Sequence, residues 1–152
     1  MGIEGIKQLH TEDVSNTTLT PTTDIGTVRW EGQNEYVYVY NAGGSDIPPG
    51  YGCCLTGVTG HSVTISSVSN ITPCLGVVQN ATLVTASYGW VLKRGFMNLE
   101  ASTISAFASG QNLQLGINGV FSDALTNAGA EGRGLAVVAT LGSGWCRVMC
   151  NG

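Results

Sequence analysis

The residues able to do chemistry in this 152-residue chain are few and widely spaced. The chain has two histidines and five cysteines, Cys53, Cys54, Cys74, Cys146 and Cys150. A metal site needs three or four converging Cys, His or carboxylate ligands. Cys53 and Cys54 are adjacent, so they point to opposite faces of a strand, and Cys146 and Cys150 lie in strand-like sequence. We therefore expect no metal site, and we expect His61, in a Thr-Gly-His-Ser loop, to face solvent.

Catalytic motifs are equally scarce. The sequence contains no Gly-x-Ser-x-Gly elbow, no His-Glu-x-x-His helix and no phosphate-binding Gly-x-x-x-x-Gly-Lys loop. Most of the ten acidic residues neighbour glycine or lie in predicted turns, which favours solvated loop carboxylates over an acid-base pair; they include Glu31, Glu35, Asp46, Glu100, Asp123 and Glu131. The sequence predicts no catalytic residue and no cofactor, so we expect a protein that is not an enzyme.

Composition narrows the range of partners. The formal net charge is −4, and only Lys93 and Arg94 are adjacent among the six basic residues, whereas nucleic-acid binding needs clustered cations. No apolar run is long enough for a membrane helix, and the first nine residues lack the pattern of a signal peptide. We expect a protein of the cytoplasm that binds neither nucleic acid nor membrane. An odd number of cysteines then predicts reduced thiols in the core.

The low charge also points to self-association. Hydrophobic residues make up 43% of the chain and charged residues 11%, well below the roughly 25% charged content of a typical soluble domain. Some apolar surface should therefore be covered by copies of the chain or by another protein.

The first part of the chain is predicted to be an extended arm, residues 1–27, ahead of a β domain, residues 28–152. Residues 10–24 are polar, rich in threonine and without periodicity, so residues 1–24 should add little to the core. Ile3, Ile6 and Leu9 place an apolar residue at every third position. Such a stripe predicts either a plug for a groove on a partner or a terminus without fixed contacts.

From Arg29 onward the sequence has β texture, with short apolar runs separated by many of the 22 glycines. Residues 35–40 alternate strictly, so Tyr36, Tyr38 and Tyr40 should share one face of a strand that is buried on both faces. Large aromatic residues are enriched where subunits meet, which makes the three tyrosines a candidate subunit interface. Further strands are predicted over residues 88–94 and 145–150, and Asn118-Gly119 predicts a hairpin.

A faint internal repeat appears at a shift of 60 residues. Its first block is Ile47-x-x-Gly50, Leu55 and Leu75-x-Val77-Val78, and its second is Phe107-x-x-Gly110, Leu115 and Leu135-x-Val137-Val138. Gly89-Trp90 recurs as Gly144-Trp145. The matches fall at predicted strands and turns, which predicts two similar β units packed together. Trp90 and Trp145 could stack on sugars, but their equivalent positions favour the core or a subunit contact.

These motifs carry a resemblance to a known family. The order Tyr-x-Tyr-x-Tyr-Asn-x-Gly-Gly-x-x-Ile-x-x-Gly from Tyr36, Leu-Gly-Val-Val-Gln-Asn-Ala-Thr from Leu75, Tyr-Gly-Trp-Val-x-x-Arg-Gly from Tyr88 and Gly-Arg-Gly-Leu-Ala from Gly132 resembles small decoration, or cement, proteins of tailed-phage heads. The resemblance implies an all-β fold, a compact β-barrel or sandwich of short strands. It extends loosely over residues 29–150 and brings no catalytic or ligand residue with it.

By this resemblance, the chain would be a non-enzymatic virion protein on the outer capsid surface, assembled in the host cytoplasm. Its partners would be the major capsid protein and itself, as a homotrimer whose three simultaneous contacts multiply a modest affinity. The arm residues Ile3, Ile6 and Leu9 would then bind a capsid groove. Two alternatives remain open, a receptor- or carbohydrate-binding module of a phage fibre or spike and a minor capsid shell subunit.

Overall fold

A computed structural model of the chain describes residues 13–57, 60–65, 74–79, 81–100, 113–115, 119, 121–123, 135–142 and 145–150. These residues form ten strands and no α-helix: β1 Val28–Glu31, β2 Asn34–Asn41, β3 Gly52–Leu55, β4 Ser62–Ile65, β5 Cys74–Val77, β6 Tyr88–Glu100, β7 Leu113–Leu115, β8 Phe121–Asp123, β9 Leu135–Gly142 and β10 Trp145–Cys150. The predicted all-β fold is confirmed. None of the described elements is a helix long and apolar enough to span a bilayer.

Strand β2 has the alternation of tyrosine and valine residues on its two faces that the sequence predicts. Val37 and Val39 point into a buried cluster that also contains Cys53, Val63 and Val91. The tyrosines of β2 lie on the opposite face, where Tyr38 contacts other aromatic rings. Both faces are buried because the inner face fills a core and the outer face is covered by another part of the chain.

Five strands close into a barrel. Going around it, β2 pairs with β4, β4 with β3, β3 with β5, β5 with β6, and β6 returns to β2. The β2–β4 contact is parallel and short, with Tyr40 opposite Ser62 and Asn41 opposite Val63, whereas the other pairings are antiparallel. Closure leaves no open edge within these five strands, which is how small barrels avoid exposed strand edges.

Strand β6 is longer than the barrel requires, and its two halves have different partners. Residues 88–94 pair with β2, and residues 95–100 pair antiparallel with β10, which in turn pairs with β9. Gly95, the first residue of the second half, has φ +116, a backbone conformation that residues with a side chain rarely adopt. The open end of the sheet opposite β9 is β1, which pairs with β2 through a two-residue hairpin loop.

The second half of the chain repeats the strand order of the first. Strands β3 and β7 begin 61 residues apart, and so do β5 and β9. The β7–β8 hairpin corresponds to β3–β4, and β9–β10 corresponds to the contact between β5 and the first half of β6. The second half of β6 then takes the position of β2, since residue 95 also lies 61 residues after the start of β2. The predicted two-unit repeat is therefore present as strand order, and one strand serves both units.

The predicted hairpin around Asn118-Gly119 is confirmed as β7–β8, with Leu115 opposite Phe121. Its connection has five residues, where a two-residue turn is the commoner partner of an Asn-Gly pair. Gly119 has φ +74, and a Cβ there would lie 2.8 Å from the Gly52 carbonyl oxygen and 2.8 Å from an Ile65 side-chain carbon. Phe121 is fully buried. The hairpin therefore packs against the barrel at β3 and β4.

Candidate functional site

The outer face of β2 and β6 forms an aromatic cluster, which we call the aromatic face. Tyr38 lies at its centre, 5.0 Å from the Trp90 ring and 6.3 Å from the Tyr88 ring, centroid to centroid. Tyr40 packs against Tyr88 at 4.8 Å, and the Arg29 guanidinium lies 5.8 Å from the centre of the Trp90 ring. This register follows from the sheet, because Tyr38 pairs with Trp90 and Tyr40 with Tyr88 across β2 and β6. Aromatic pairs in such offset and tilted arrangements add to the stability that burial provides.

Residues 13–27, which we call the covering segment, lie over this face. The segment begins with a turn in which the Asp13 carboxylate accepts hydrogen bonds from the Ser15 backbone and hydroxyl, and these bonds lower the pKa of Asp13. Thr18 then makes two backbone hydrogen bonds with Tyr88, of 3.0 and 2.7 Å. The segment ends where the Gly26 N–H donates to the Tyr38 carbonyl oxygen. The chain therefore crosses the aromatic face before it enters β1.

The Tyr38 hydroxyl joins the covering segment to the barrel. It accepts hydrogen bonds from the Thr22 backbone N–H at 3.2 Å and from the Thr22 hydroxyl at 3.1 Å. Thr18 donates its own hydroxyl hydrogen to the Thr20 carbonyl, which leaves the Tyr38 hydroxyl to donate to Thr18 Oγ1 at 3.4 Å. Tyr38 is only 1% exposed, so its polar atom needs these partners. Two of the threonines that make residues 10–24 look like a solvated tether thus satisfy this buried hydroxyl.

Gly26 and His61 form a second contact between the covering segment and the barrel. Gly26 has φ +89, and a Cβ at that position would lie 2.6 Å from His61 Nδ1. The His61 carbonyl oxygen accepts a hydrogen bond from the Tyr40 N–H. His61 is half-buried with its ring against Gly26, so it is less exposed than the residues around it in the sequence indicate. The physical reason is the covering segment, whose path could not be read from the residues around His61.

The structure also differs from the expectation that residues 1–24 add little to the core. Thr18 and Thr22 lie on the aromatic face, and Tyr36 and Tyr38 are covered within a single chain. Burial raises the pKa of Tyr36. Of the three tyrosines predicted at a subunit interface, Tyr40 retains intermediate exposure, and the role of all three in subunit contact stays a prediction. Ile3, Ile6 and Leu9 lie outside the described residues, and their contact with a capsid also stays a prediction.

The adjacent cations Lys93 and Arg94 share one carboxylate. Glu35 is buried on β2, and its carboxylate oxygens lie 3.5 Å from Lys93 Nζ and 3.3 Å from Arg94 Nε. An irregularity in the β2–β6 register between Glu35 and Tyr36 lets two consecutive residues of β6 reach the same side chain. These two cations, themselves partly exposed, thus compensate the charge of one buried carboxylate.

The cysteine and carboxylate side chains that the structure describes make contacts within the fold. Cys53 lies in the barrel core and donates to the Gly76 carbonyl oxygen, and burial raises the pKa of its thiol to about 12. Asp46 accepts a hydrogen bond from the Thr85 N–H at 2.7 Å, and Glu31 pairs with Arg29. Within the described ranges, no three His, Cys, Asp or Glu side chains converge on a point where a metal ion could sit. Trp90, 5% exposed, is part of the aromatic face and too covered to bind a sugar.

Comparison with solved structures finds a phage protein with a similar fold. The fold is similar to the crystal structure of the head fiber gp8.5 N base of bacteriophage phi29, with a TM-score of 0.52 over 76% of this chain and 94% of that chain. The likeness shows the fold. Sequence identity over the match is 14%, which is too low to transfer a residue's role. No family model and no curated protein matches the chain.

One exposed feature could not be selected from the sequence. Trp30, on β1, is 59% exposed and is the most exposed aromatic residue among those described. An apolar residue in a short β-prone run normally predicts burial. Trp30 lies opposite Glu35 across β1 and β2 and therefore shares a sheet face with Val37 and Val39. It stays in solvent because β1 is an extra strand beyond the closed barrel, and neither Val28 nor Trp30 is part of the buried cluster.

Proposed function

We propose that this chain is a non-enzymatic structural protein of a phage particle that acts on the outer surface of the head. The observation that supports the proposal is the likeness of its fold to a phage head fiber N base, which extends over 94% of the chain in that crystal structure. The sequence motifs from Tyr36, Leu75, Tyr88 and Gly132 point independently to head-surface proteins of tailed phages. Two different kinds of observation therefore favour the same place in a virion.

More specifically, we propose that the chain decorates the head as a homo-oligomer, a trimer in the simplest case, and stabilises the lattice of the major capsid protein. The physical basis is avidity. Several identical contacts made by one oligomer can raise the affinity of a single contact by roughly 10² to 10⁴. A protein with few charged residues and a closed barrel suits such a role, because rigid β units lose little conformational entropy when they bind.

A second candidate function is the base of a head fiber, and the observation that favours it is the kind of protein whose fold this chain shares. In that case the chain would attach another polypeptide to the head and would add nothing to the strength of the shell. The two candidates share a place on the particle and differ in mechanical effect.

The test uses particles from a phage that lacks this chain, to which the purified protein is added back. We expect saturable binding to intact heads, measured by co-sedimentation, and a higher survival of the heads after heating or osmotic shock. Binding without any gain in survival would favour the fiber base over decoration. If the protein does not bind the heads and is missing from wild-type particles by mass spectrometry, the virion proposal is wrong.

A further inference from the structure

The outer edge of β1 offers backbone hydrogen-bonding groups to a partner. The Tyr38 N–H donates a hydrogen bond to the Thr27 carbonyl, so this carbonyl points toward β2. Backbone groups alternate in direction along a strand, and those of Arg29 and Glu31 therefore also point toward β2. The N–H and C=O groups of Val28 and Trp30 must therefore point away from β2. No other described strand pairs with this edge of β1.

The side chains on this edge are apolar and exposed. The described residues include six large hydrophobic side chains with high exposure, and four of these belong to residues 19–30: Leu19, Ile25, Val28 and Trp30. Val28 is 45% and Trp30 59% exposed, and both lie on one face of β1. Natural sheets usually protect an edge with charged side chains, proline, a bulge or a very short strand. Strand β1, Val-Arg-Trp-Glu, is short and has no proline, and its two charged side chains pair with each other. The exposed Val28 and Trp30 on its other face therefore give this edge the character of a pairing edge.

We propose that a second copy of this chain binds here, with the two β1 strands pairing antiparallel about a twofold axis at Trp30. The charges of β1 select this register. With Trp30 opposite Trp30 of the partner subunit, Arg29 faces Glu31 of the partner subunit, and the reverse pair forms by symmetry. The next register that uses outward-pointing groups places Val28 opposite Trp30 of the partner subunit and sets Arg29 against the partner's Arg29, which is unfavourable.

Three kinds of interaction stabilise the twofold contact: backbone hydrogen bonds, apolar packing and ion pairs. Trp30 and Trp30 of the partner subunit exchange two backbone hydrogen bonds, and the two indoles lie side by side with the exposed Val28 side chains on the same face. The Arg29–Glu31 ion pair within the chain becomes part of a four-charge ladder on the other face. A twofold contact is the commonest way in which identical chains associate.

This inference goes beyond the proposed function and does not need a virion. A twofold contact requires an even number of copies: two if it acts alone, and six if it joins two of the trimers proposed above. A plain trimer at all concentrations would overturn the twofold contact at β1 and leave the proposed function untouched.

The first test compares Trp30→Lys with Leu19→Lys by sedimentation velocity across a wide concentration range. Both side chains are exposed, Leu19 at 78%, so neither change should unfold the chain, and only Trp30→Lys sets two lysines opposite each other at the axis. We expect Trp30→Lys to halve the mass of the assembly and Leu19→Lys to leave it unchanged. An unchanged mass for Trp30→Lys, or an equal loss in both variants, contradicts the proposal.

The second test addresses the register. Glu31→Lys alone places lysine opposite Arg29, and Arg29→Glu alone places two carboxylates opposite each other, so each variant should lose the twofold contact. Mixed together, the two variants regain opposite charges at both positions, and association should return only in the mixture. Thermal melts of each variant confirm that it is folded. If the mixture behaves as the sum of the two separate variants, the proposed register is wrong.

Discussion

Gly26 shows how one residue fixes the path of a polar segment over an aromatic surface. Its φ of +89 is in the region that favours glycine, and the His61 ring occupies the space that a Cβ would need. Backbone conformation and packing therefore exclude a side chain for separate reasons. These two reasons can be separated experimentally, because Gly32 has a similar φ of +59 and no atom within 4 Å of an added Cβ.

We predict that Gly26→Ala destabilises the fold more than Gly32→Ala does. Both substitutions bear the cost of a left-handed conformation, about 1–2 kcal/mol, and only Gly26→Ala must also displace the His61 ring. Chemical denaturation of the two variants and the parent measures the difference. An equal decrease in the free energy of unfolding in the two variants would show that the contact with His61 does not contribute to the difference.

Cys53 provides a pH-dependent prediction at the same scale. Burial raises the pKa of its thiol from 9.0 to about 12, so the folded state keeps the proton that the unfolded state loses above pH 9. The contribution to stability is therefore complete below pH 9 and is lost progressively as the pH rises toward 12. In the folded protein at pH 8, we expect no alkylation of Cys53 by iodoacetamide, measured by peptide mass spectrometry, and full alkylation in denaturant. Rapid labelling of Cys53 without denaturant would contradict its burial.

At the scale of elements, the covering segment divides the predicted arm into two parts with different consequences for stability. Removing residues 1–12 leaves Thr18 and Thr22 in place, so the melting temperature should change little. Removing residues 1–24 also exposes Tyr38 and takes away the partners of its hydroxyl, which should cost roughly 2–5 kcal/mol. Thermal unfolding of both truncated chains tests this. Equal melting temperatures would mean that the contacts of the covering segment are energetically neutral.

The Thr22 hydroxyl can be tested alone. In Thr22→Val the backbone N–H still donates to the Tyr38 hydroxyl, while the second hydrogen bond to that hydroxyl is lost, and we expect a loss of about 1 kcal/mol. Thr20→Val is the matched control, because the Thr20 side chain is exposed and only its carbonyl oxygen is used in the network. A similar loss in both variants would point to β-propensity and not to the hydrogen bond.

Strands with a strong alternating pattern could be predicted from the sequence. Segments whose structure depends on contacts with distant parts of the chain could not. Residues 35–40 show period-two alternation because both faces of β2 meet apolar surroundings, and the Asn-Gly hairpin has its own turn chemistry. Strand β4 has only four residues, and its parallel contact with β2 depends on a register that no local pattern encodes. The covering segment was missed for the same reason, since threonines that bond to a distant tyrosine have the same composition as threonines in water.

At the scale of the whole molecule, the sharing of β6 predicts how the chain unfolds. The residues of β6 that pair with β2 belong to the same strand as those that pair with β10. Neither unit can lose this strand without disrupting the other, so we expect a single cooperative transition in calorimetry, with equal calorimetric and van't Hoff enthalpies. Two separate transitions would show that the two halves of β6 melt independently, with Gly95 as the boundary.

The continuity of β6 also decides how the molecule would bear tension. Two domains joined by a linker place the applied load on the linker and on whatever weak contact lies beside it. Here a pull that separates the two units is transmitted along the covalent backbone of one extended strand, and the hydrogen bonds to β2 and β10 are loaded together in shear. If the chain is bound to a phage head that expands, as proposed above, its contacts with the capsid should therefore break before its two units separate.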